Sequence, residues 1–273
     1  MEKVRRSIIA GSWYPGEPSV LTSDITGYFN NVPDVEFEGD IVGLVAPHAG
    51  YMYSGQVAAY AYKLVCGRKY DAVILIGPSH RVAFSGVSIY SKGGYETPLG
   101  VVPVEEHLAA DIKKGDKIIV EFPDAHAQEH SLEIHLPFLQ IALGQFSFVP
   151  LVMGDQSPAV CGKLAEAIYQ AVKDRNVLIV GSTDLSHFHN DKKARDLDGI
   201  VLDHIKNFDP EGLLNNLYLD KTEACGGGPM AVTMLVSKKM GAHHSQLLKY
   251  ANSGDVTGDK KSVVGYTSAI YYR

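Results

Sequence analysis

Four short runs of the chain are apolar on consecutive residues, not on alternate ones: 41–46 (IVGLVA), 72–77 (AVILIG), 146–153 (FSFVPLVM) and 177–181 (VLIVG). A strand that is apolar on both faces must be covered on both, and that is the environment of a parallel sheet between helices. Stretches with apolar residues at three- and four-residue spacing fall at 54–65, 104–114, 131–143, 158–172 and 192–206, and this spacing predicts helices with one buried face. The alternation of the two patterns predicts an α/β fold with a central, mostly parallel or mixed sheet and helices on both faces. Gly-Gly and Pro-Leu-Gly between β-prone runs at 84–102 predict a hairpin, and 245–250 and 263–272 read as strands across a polar loop at 251–262. The sheet is therefore expected to be mixed at its edge. No repeat, low-complexity block or Pro/Ser-rich linker divides the 273 residues, so the chain reads as a single domain, 1–273.

Composition narrows the functional classes. Hydrophobic residues make up 45% and charged residues 21%, which is globular usage and argues against disorder. With 25 Lys+Arg against 31 Asp+Glu, a net charge of −6 and no long run of either sign, there is no basic face for nucleic acid. Cys66, Cys161 and Cys225 are odd in number, widely spaced and free of CxxC, which disfavours a disulfide framework and a four-thiolate zinc site. The stretch MEKVRRSIIAGSWYPGEP has too short an apolar part for a secretory leader, and no run elsewhere approaches the ~20 residues of a membrane span. The expected location is the cytoplasm, with no membrane partner.

The polar residues follow the strands. IVGLVAPH ends at His48, AVILIGPSH ends at His80, and VLIVGSTDLSH delivers Asp184 and His187. Ligands of open α/β sheets bind beyond the carboxyl ends of the strands, so these residues are expected to share one crevice, although a lone histidine at such a place is more often a hydrogen-bonded loop residue. TEACGGGPM, at 222–230, places Cys225 ahead of a helical stretch at 231–240 with Pro229 suited to its first position. Free N–H groups there would favour the thiolate. Cys66 and Cys161 fit buried small hydrophobes better. In EHSLEIHLP, at 129–137, a helix would pair His130 with Glu133 and Ser131 with His135, while Leu132, Leu136 and Leu139 form a core stripe. Acidic residues favouring the dipole of a helix N-terminus are the plainer account of that segment. Trp13, Tyr51 and Tyr53 are candidate pocket walls, with the core as the alternative.

His48, His80 and Cys225 together make a borderline-soft donor set suited to Fe, Cu or Zn and unsuited to Mg or Ca. Asp184 and His187 are candidates for orienting ligands or moving protons. Used as a zinc hydrolase, the same residues would leave the protons to Asp184, His187 or Glu133.

The blocks SWYPG, APHAGYMYSG, GPSH, EHSLEIHLP, STDLSH and the late Cys-Gly, in that order and almost end to end, resemble the Memo family, whose microbial members are called AmmeMemoRadiSam system protein B. The resemblance implies a fold similar to that of the class III extradiol dioxygenases, which are non-haem iron enzymes that cleave aromatic rings. It implies a metal at His48, His80 and Cys225, with Asp184 and His187 beside it. The dioxygenases hold iron with two histidines and a carboxylate, whereas here the third ligand is a thiolate, so ring cleavage does not follow from the likeness. The expected function is that of a mononuclear metal-dependent oxidoreductase, with Fe(II) as the first metal and Cu or Zn as alternatives. The competing expectation is a non-catalytic accessory protein that keeps an enzyme-like cleft, binding a peptide or serving a radical-SAM enzyme. A small molecule or peptide in the cleft and a homodimer complete the expected partners.

Overall fold

In the computed structural model, which describes residues 4–34 and 37–273, the four apolar runs are neighbours in one sheet. Residues 1–3, the start of the stretch read for a leader, and residues 35–36 lie outside the described residues. The strands span Ile41–Ala46, Ala72–Pro78, Phe148–Met153 and Val177–Ser182, and every residue in them is buried. All are parallel, in the order Ile41–Ala46, Val177–Ser182, Ala72–Pro78, Phe148–Met153.

Antiparallel strands complete both sides. Val263–Tyr272 pairs with Ile41–Ala46 and in turn with both His244–Asn252 and His187–His189. On the far side Val87–Ile89 runs antiparallel to Phe148–Met153 and pairs with Ile119–Val120. The sheet is therefore mixed. The hairpin expected at 84–102 is divided: Gly94–Thr97 and Gly100–Pro103 pair with each other and with Val4–Arg5 in a separate small sheet, whereas Val87–Ile89 joins the large one.

The register shows what covers each face. Gly43 and Gly181 are on one face, where an added Cβ would run into Ser237 and Thr233 of the helix Gly227–Lys239. Gly77, on the opposite face, packs against Ser131 and Leu132. Pro158–Val172 is the helix expected there, and Tyr51–Leu64, Glu106–Gly115 and Asp191–Lys206 begin or end within a few residues of expectation.

Four helices of eight or more residues depart from the sequence reading. The segment 131–143 is helical only from Leu136 to Leu143, after a 3-10 turn at Glu133–His135. Its start is held out of the helix because the Ser131 N–H donates to the Glu129 carboxylate and its hydroxyl to the Pro78 carbonyl. The helix expected at 231–240 starts at Gly227, which puts Pro229 third in it, still within the turn whose N–H groups have no intrahelical acceptor. Pro18–Asn30 and Pro210–Tyr218 were not read as helices; each starts on a proline, and Asp209 caps the second by accepting from the Gly212 N–H. No helix of the described residues is long and apolar enough to cross a membrane.

Beside the small sheet lies a buried histidine whose tautomer can be read from its partners. The Ser88 hydroxyl donates to the Phe122 carbonyl, so its oxygen accepts from His126 Nε2–H at 2.9 Å, and His126 Nδ1 accepts from the Tyr95 hydroxyl at 2.6 Å. Burial, with Arg5 nearby, holds His126 down from 6.5 to about 3. Between those values the unfolded chain binds a proton that the folded chain refuses, so stability falls as pH drops from about 6.5 towards 3, by about 1.4 kcal/mol per pH unit for each such histidine. Denaturant midpoints measured across this range should show that loss, and His126→Gln should reduce the slope by about one proton.

Candidate metal centre

The strand order decides which residues meet. His48, Asp184 and His80 each lie two positions beyond the carboxyl end of a strand, and the strand that leads to Asp184 lies between the two that lead to the histidines. Asp184 therefore sits beside His48 and accepts from its backbone N–H at 2.8 Å. Cys225 comes from the turn before the helix Gly227–Lys239, and its N–H donates to the Asp184 carbonyl at 3.2 Å while the Asp184 N–H points at its Sγ at 3.3 Å. At Gly226 a side chain would strike the Ser182 carbonyl and Thr183, so only glycine lets this turn approach the strand end closely.

Both histidines have one nitrogen committed and one left over. The Ser182 hydroxyl donates to the Ser131 carbonyl at 2.7 Å, so its oxygen accepts from His48 Nδ1–H, also at 2.7 Å. His48 Nε2 is then a lone pair, 3.1 Å from Cys225 Sγ. His80 Nδ1 is 2.9 Å from Glu129 Oε1, and since an ionised carboxylate only accepts, the proton is on Nδ1. The second Glu129 oxygen accepts the His80 backbone N–H at 2.6 Å. Nε2 is the free nitrogen of His80 too. Ligand atoms of His48, His80 and Cys225 lie within 4.8 Å of one another. Imidazoles oriented through Nδ1–H to an oxygen, with Nε2 converging on a sulfur, are what a transition-metal site requires.

Burial governs the electrostatics. It holds His48 well below its ordinary value, helped by the neighbouring imidazoles, and lowers His187 as well. It pushes the Asp184 carboxyl up to about 7 against the pull of the His48 and Ala49 backbone N–H groups. Glu129 goes the other way: burial raises it, but hydrogen bonds from His80 and Ser131 outweigh that and hold it at about 2. The Cys225 thiol is pushed up by burial and then by Asp184, so the thiolate expected from the nearby helix N-terminus is not favoured in the free protein. Binding a cation would displace that proton.

A cavity of about 610 Å³ opens over His48, His80 and Asp184, with Trp13, Tyr53, His130 and His187 also in its lining, while Cys225 lines a second cavity of about 500 Å³ that shares His187 with it. His187 donates Nδ1–H to the Leu185 carbonyl at 2.7 Å, which leaves its Nε2 as an acceptor. Trp13 packs on His130, ring centroids 4.4 Å apart. Tyr51, Glu133 and His135, also named as pocket candidates, lie behind the wall. The Tyr51 hydroxyl donates to the Ile134 carbonyl, and His135 Nδ1 is 2.7 Å from the Tyr62 hydroxyl. Glu133, fully buried, pairs with Arg5 at 2.6 Å and accepts from Ser7, Tyr14 and the Ile8 and Ile9 N–H groups.

Glu129, by contrast, is central to the site and was missed in the sequence, because a helical reading of 129–137 gives it only the dipole to serve. Its role comes from the non-helical turn, which periodicity does not register.

Glu133 fastens residues 5–14, and with them the chain's single tryptophan, to the core. Glu133→Ala, which leaves Arg5 buried and unpaired, should cost about 3–5 kcal/mol of stability. It should also shift the emission of Trp13 to the red as that side chain becomes wetted. An unshifted spectrum would separate Glu133 from the cleft wall.

Fold and site thus define an α/β protein that presents a two-His, one-Cys donor set at the carboxyl ends of its parallel strands. The family model described as Memo-like protein matches residues 5–270, and the chain belongs to the Memo family. It is 39% identical to a MEMO1 family protein of Methanobrevibacter smithii over 98% of this chain and 99% of that one. It is 35% identical to MEMO1 family protein TV1383 of Thermoplasma volcanium over 99% of each, and 38% identical to MEMO1 family protein MTH_45 of Methanothermobacter thermautotrophicus over 96% and 98%. Among solved structures it is similar to the uncharacterized protein JW3007 from Escherichia coli K12, with a TM-score of 0.53 at 16% identity, covering 83% of this chain and 99% of that one. That neighbour has a class III extradiol dioxygenase-like fold, and the likeness is one of fold alone.

Proposed function

We propose that the chain is a mononuclear metal protein of the oxidoreductase type, with Fe(II) held by His48 Nε2, His80 Nε2 and Cys225 Sγ. The observation that carries this reading is the pair of committed Nδ1 atoms: both imidazoles are oriented by an oxygen partner so that Nε2 is the atom left to bind. One thiolate and two imidazoles suit Fe or Cu, and Zn is the third candidate. Such an ion would supply redox chemistry and open positions for a small ligand.

The chain's own residues divide the remaining work. Asp184, titrating near 7, can hold or release a proton, and one of its oxygens is 3.9 Å from His48 Nε2. His187, kept neutral, offers Nε2 as a proton acceptor on the cavity wall. Trp13, Tyr53 and Tyr266 give that wall an aromatic face, which suits the apolar body of a small organic substrate.

Metal content decides the matter. Untagged protein purified anaerobically and analysed by element should carry near-stoichiometric iron or copper, and Cys225→Ala and His80→Ala should each weaken the affinity tenfold or more. Zinc in place of iron would redirect the reading to hydrolysis. Protein that is empty and takes up no metal on reconstitution would overturn it in favour of an accessory role. Ser182→Ala, which frees His48 Nδ1, should lower metal affinity by about tenfold with the fold intact; unchanged affinity would show that the tautomer of His48 is not set by Ser182.

A further inference from the structure

The proposed centre leaves one buried imidazole without an assignment. His130 stacks on His80, with centroids 4.6 Å apart and planes 27° from parallel. Its side chain is 9% exposed, and its Nδ1 is buried with no hydrogen-bond partner. Buried polar atoms are seldom left in that state. The atom it faces is Glu129 Oε1, 3.4 Å away, the same oxygen that lies 2.9 Å from His80 Nδ1. His80, Glu129 and His130 each offer a ligand atom, and these atoms lie within 4.8 Å of one another. Two imidazole nitrogens and a carboxylate oxygen are the donors of zinc and non-haem Fe(II) sites.

We propose that His80, Glu129 and His130 form a second metal position beside the first. His80 is shared, offering Nε2 to the side of His48 and Cys225 and Nδ1 to the side of Glu129 and His130. The inference rests on the proposed centre for the role of His80 and extends it from one ion to two; its other ligands are separate. Glu129 is the carboxylate of this set. The His80 backbone N–H donates to its Oε2 and the Ser131 N–H to its Oε1, the oxygen that also faces His130, and together they fix its orientation. With both nitrogens on cations His80 becomes a bridging imidazolate: its Nδ1 proton leaves to solvent, the shared cation replaces the His80–Glu129 hydrogen bond, and His130 carries its proton on Nε2 so that Nδ1 presents a lone pair. Trp13 packs on His130, and both line the cavity together with His80. Having no thiolate, the second position is the harder of the two and suits Zn(II), Fe(II) or Co(II) over Cu(I).

Co(II) separates the two positions, because only a cobalt bound to Cys225 gives an intense sulfur-to-metal charge-transfer band. Anaerobic titration of the untagged full chain should show two equivalents bound, only one of them with that band. Cys225→Ala should bind one equivalent without the band, and adding either His130→Gln or Glu129→Gln to it should weaken that equivalent tenfold or more. His130→Gln alone should lose the second equivalent and keep the band, which also shows that the variant is folded. A wild type that binds a single equivalent with the band, lost altogether in Cys225→Ala, would overturn the second position and leave the proposed centre standing. Two equivalents without any band would overturn the centre and leave the second position standing. A wild type that binds no cobalt would overturn both.

Discussion

Burial of the parallel strands on both faces is the constraint from which the site follows. Every residue of Ile41–Ala46, Ala72–Pro78, Phe148–Met153 and Val177–Ser182 is buried, so a polar side chain within them would have to find a partner among apolar neighbours. The polar groups are placed beyond the strand ends instead, and the strand order then makes neighbours of His48, Asp184 and His80 although they are far apart in the chain. The glycines at 43 and 181 belong to the same constraint. They bring the helix Gly227–Lys239 close to the sheet, and the turn before that helix delivers Cys225 to the same end.

Two carboxylates of one short segment do opposite work there. Glu133 faces inward, pairs with Arg5 and fastens the N-terminal segment that carries Trp13 into the wall. Glu129 faces the strand end and takes both the backbone and the ring of His80. In a continuous helix the two would lie one turn apart on one side. The turn and the 3-10 geometry between them are what allow one to support the wall and the other to orient a ligand.

The fold was legible because its signal is local. Consecutive apolar residues mark a doubly covered strand, and the runs at 41–46 and 72–77 coincide with observed strands to within a residue. The meeting of His48, His80, Asp184 and Cys225 was legible through the rule for strand ends and through the family blocks. What escaped depends on contacts made at a distance. The state of the Cys225 thiol was read from a helix dipole worth a fraction of a kcal/mol to about 2 kcal/mol, whereas burial and the Asp184 charge act on it more strongly. Tyr51, His135 and Glu133 were read towards the cavity because a residue's type does not reveal which side of a wall it stands on.

A thiol in place of a carboxylate at the proposed third ligand position has a consequence for the whole cleft. A carboxylate kept ionised there would need a cation or several donors to be stable in so buried a place, and without them burial would push it up as it does Asp184. A thiol can wait neutral: Cys225 keeps its proton under the influence of burial and Asp184, and His48 stays neutral beside it. In the free site Cys225 and His48 are thus uncharged donors, His48 and His80 are already oriented by Ser182 and Glu129, and the thiol proton leaves only as a cation arrives. Asp184, with its carboxyl pushed up to about 7, has its backbone N–H on the sulfur that loses this proton. The same residue that discourages the thiolate in the free protein therefore stands beside the sulfur whose proton must leave when metal binds.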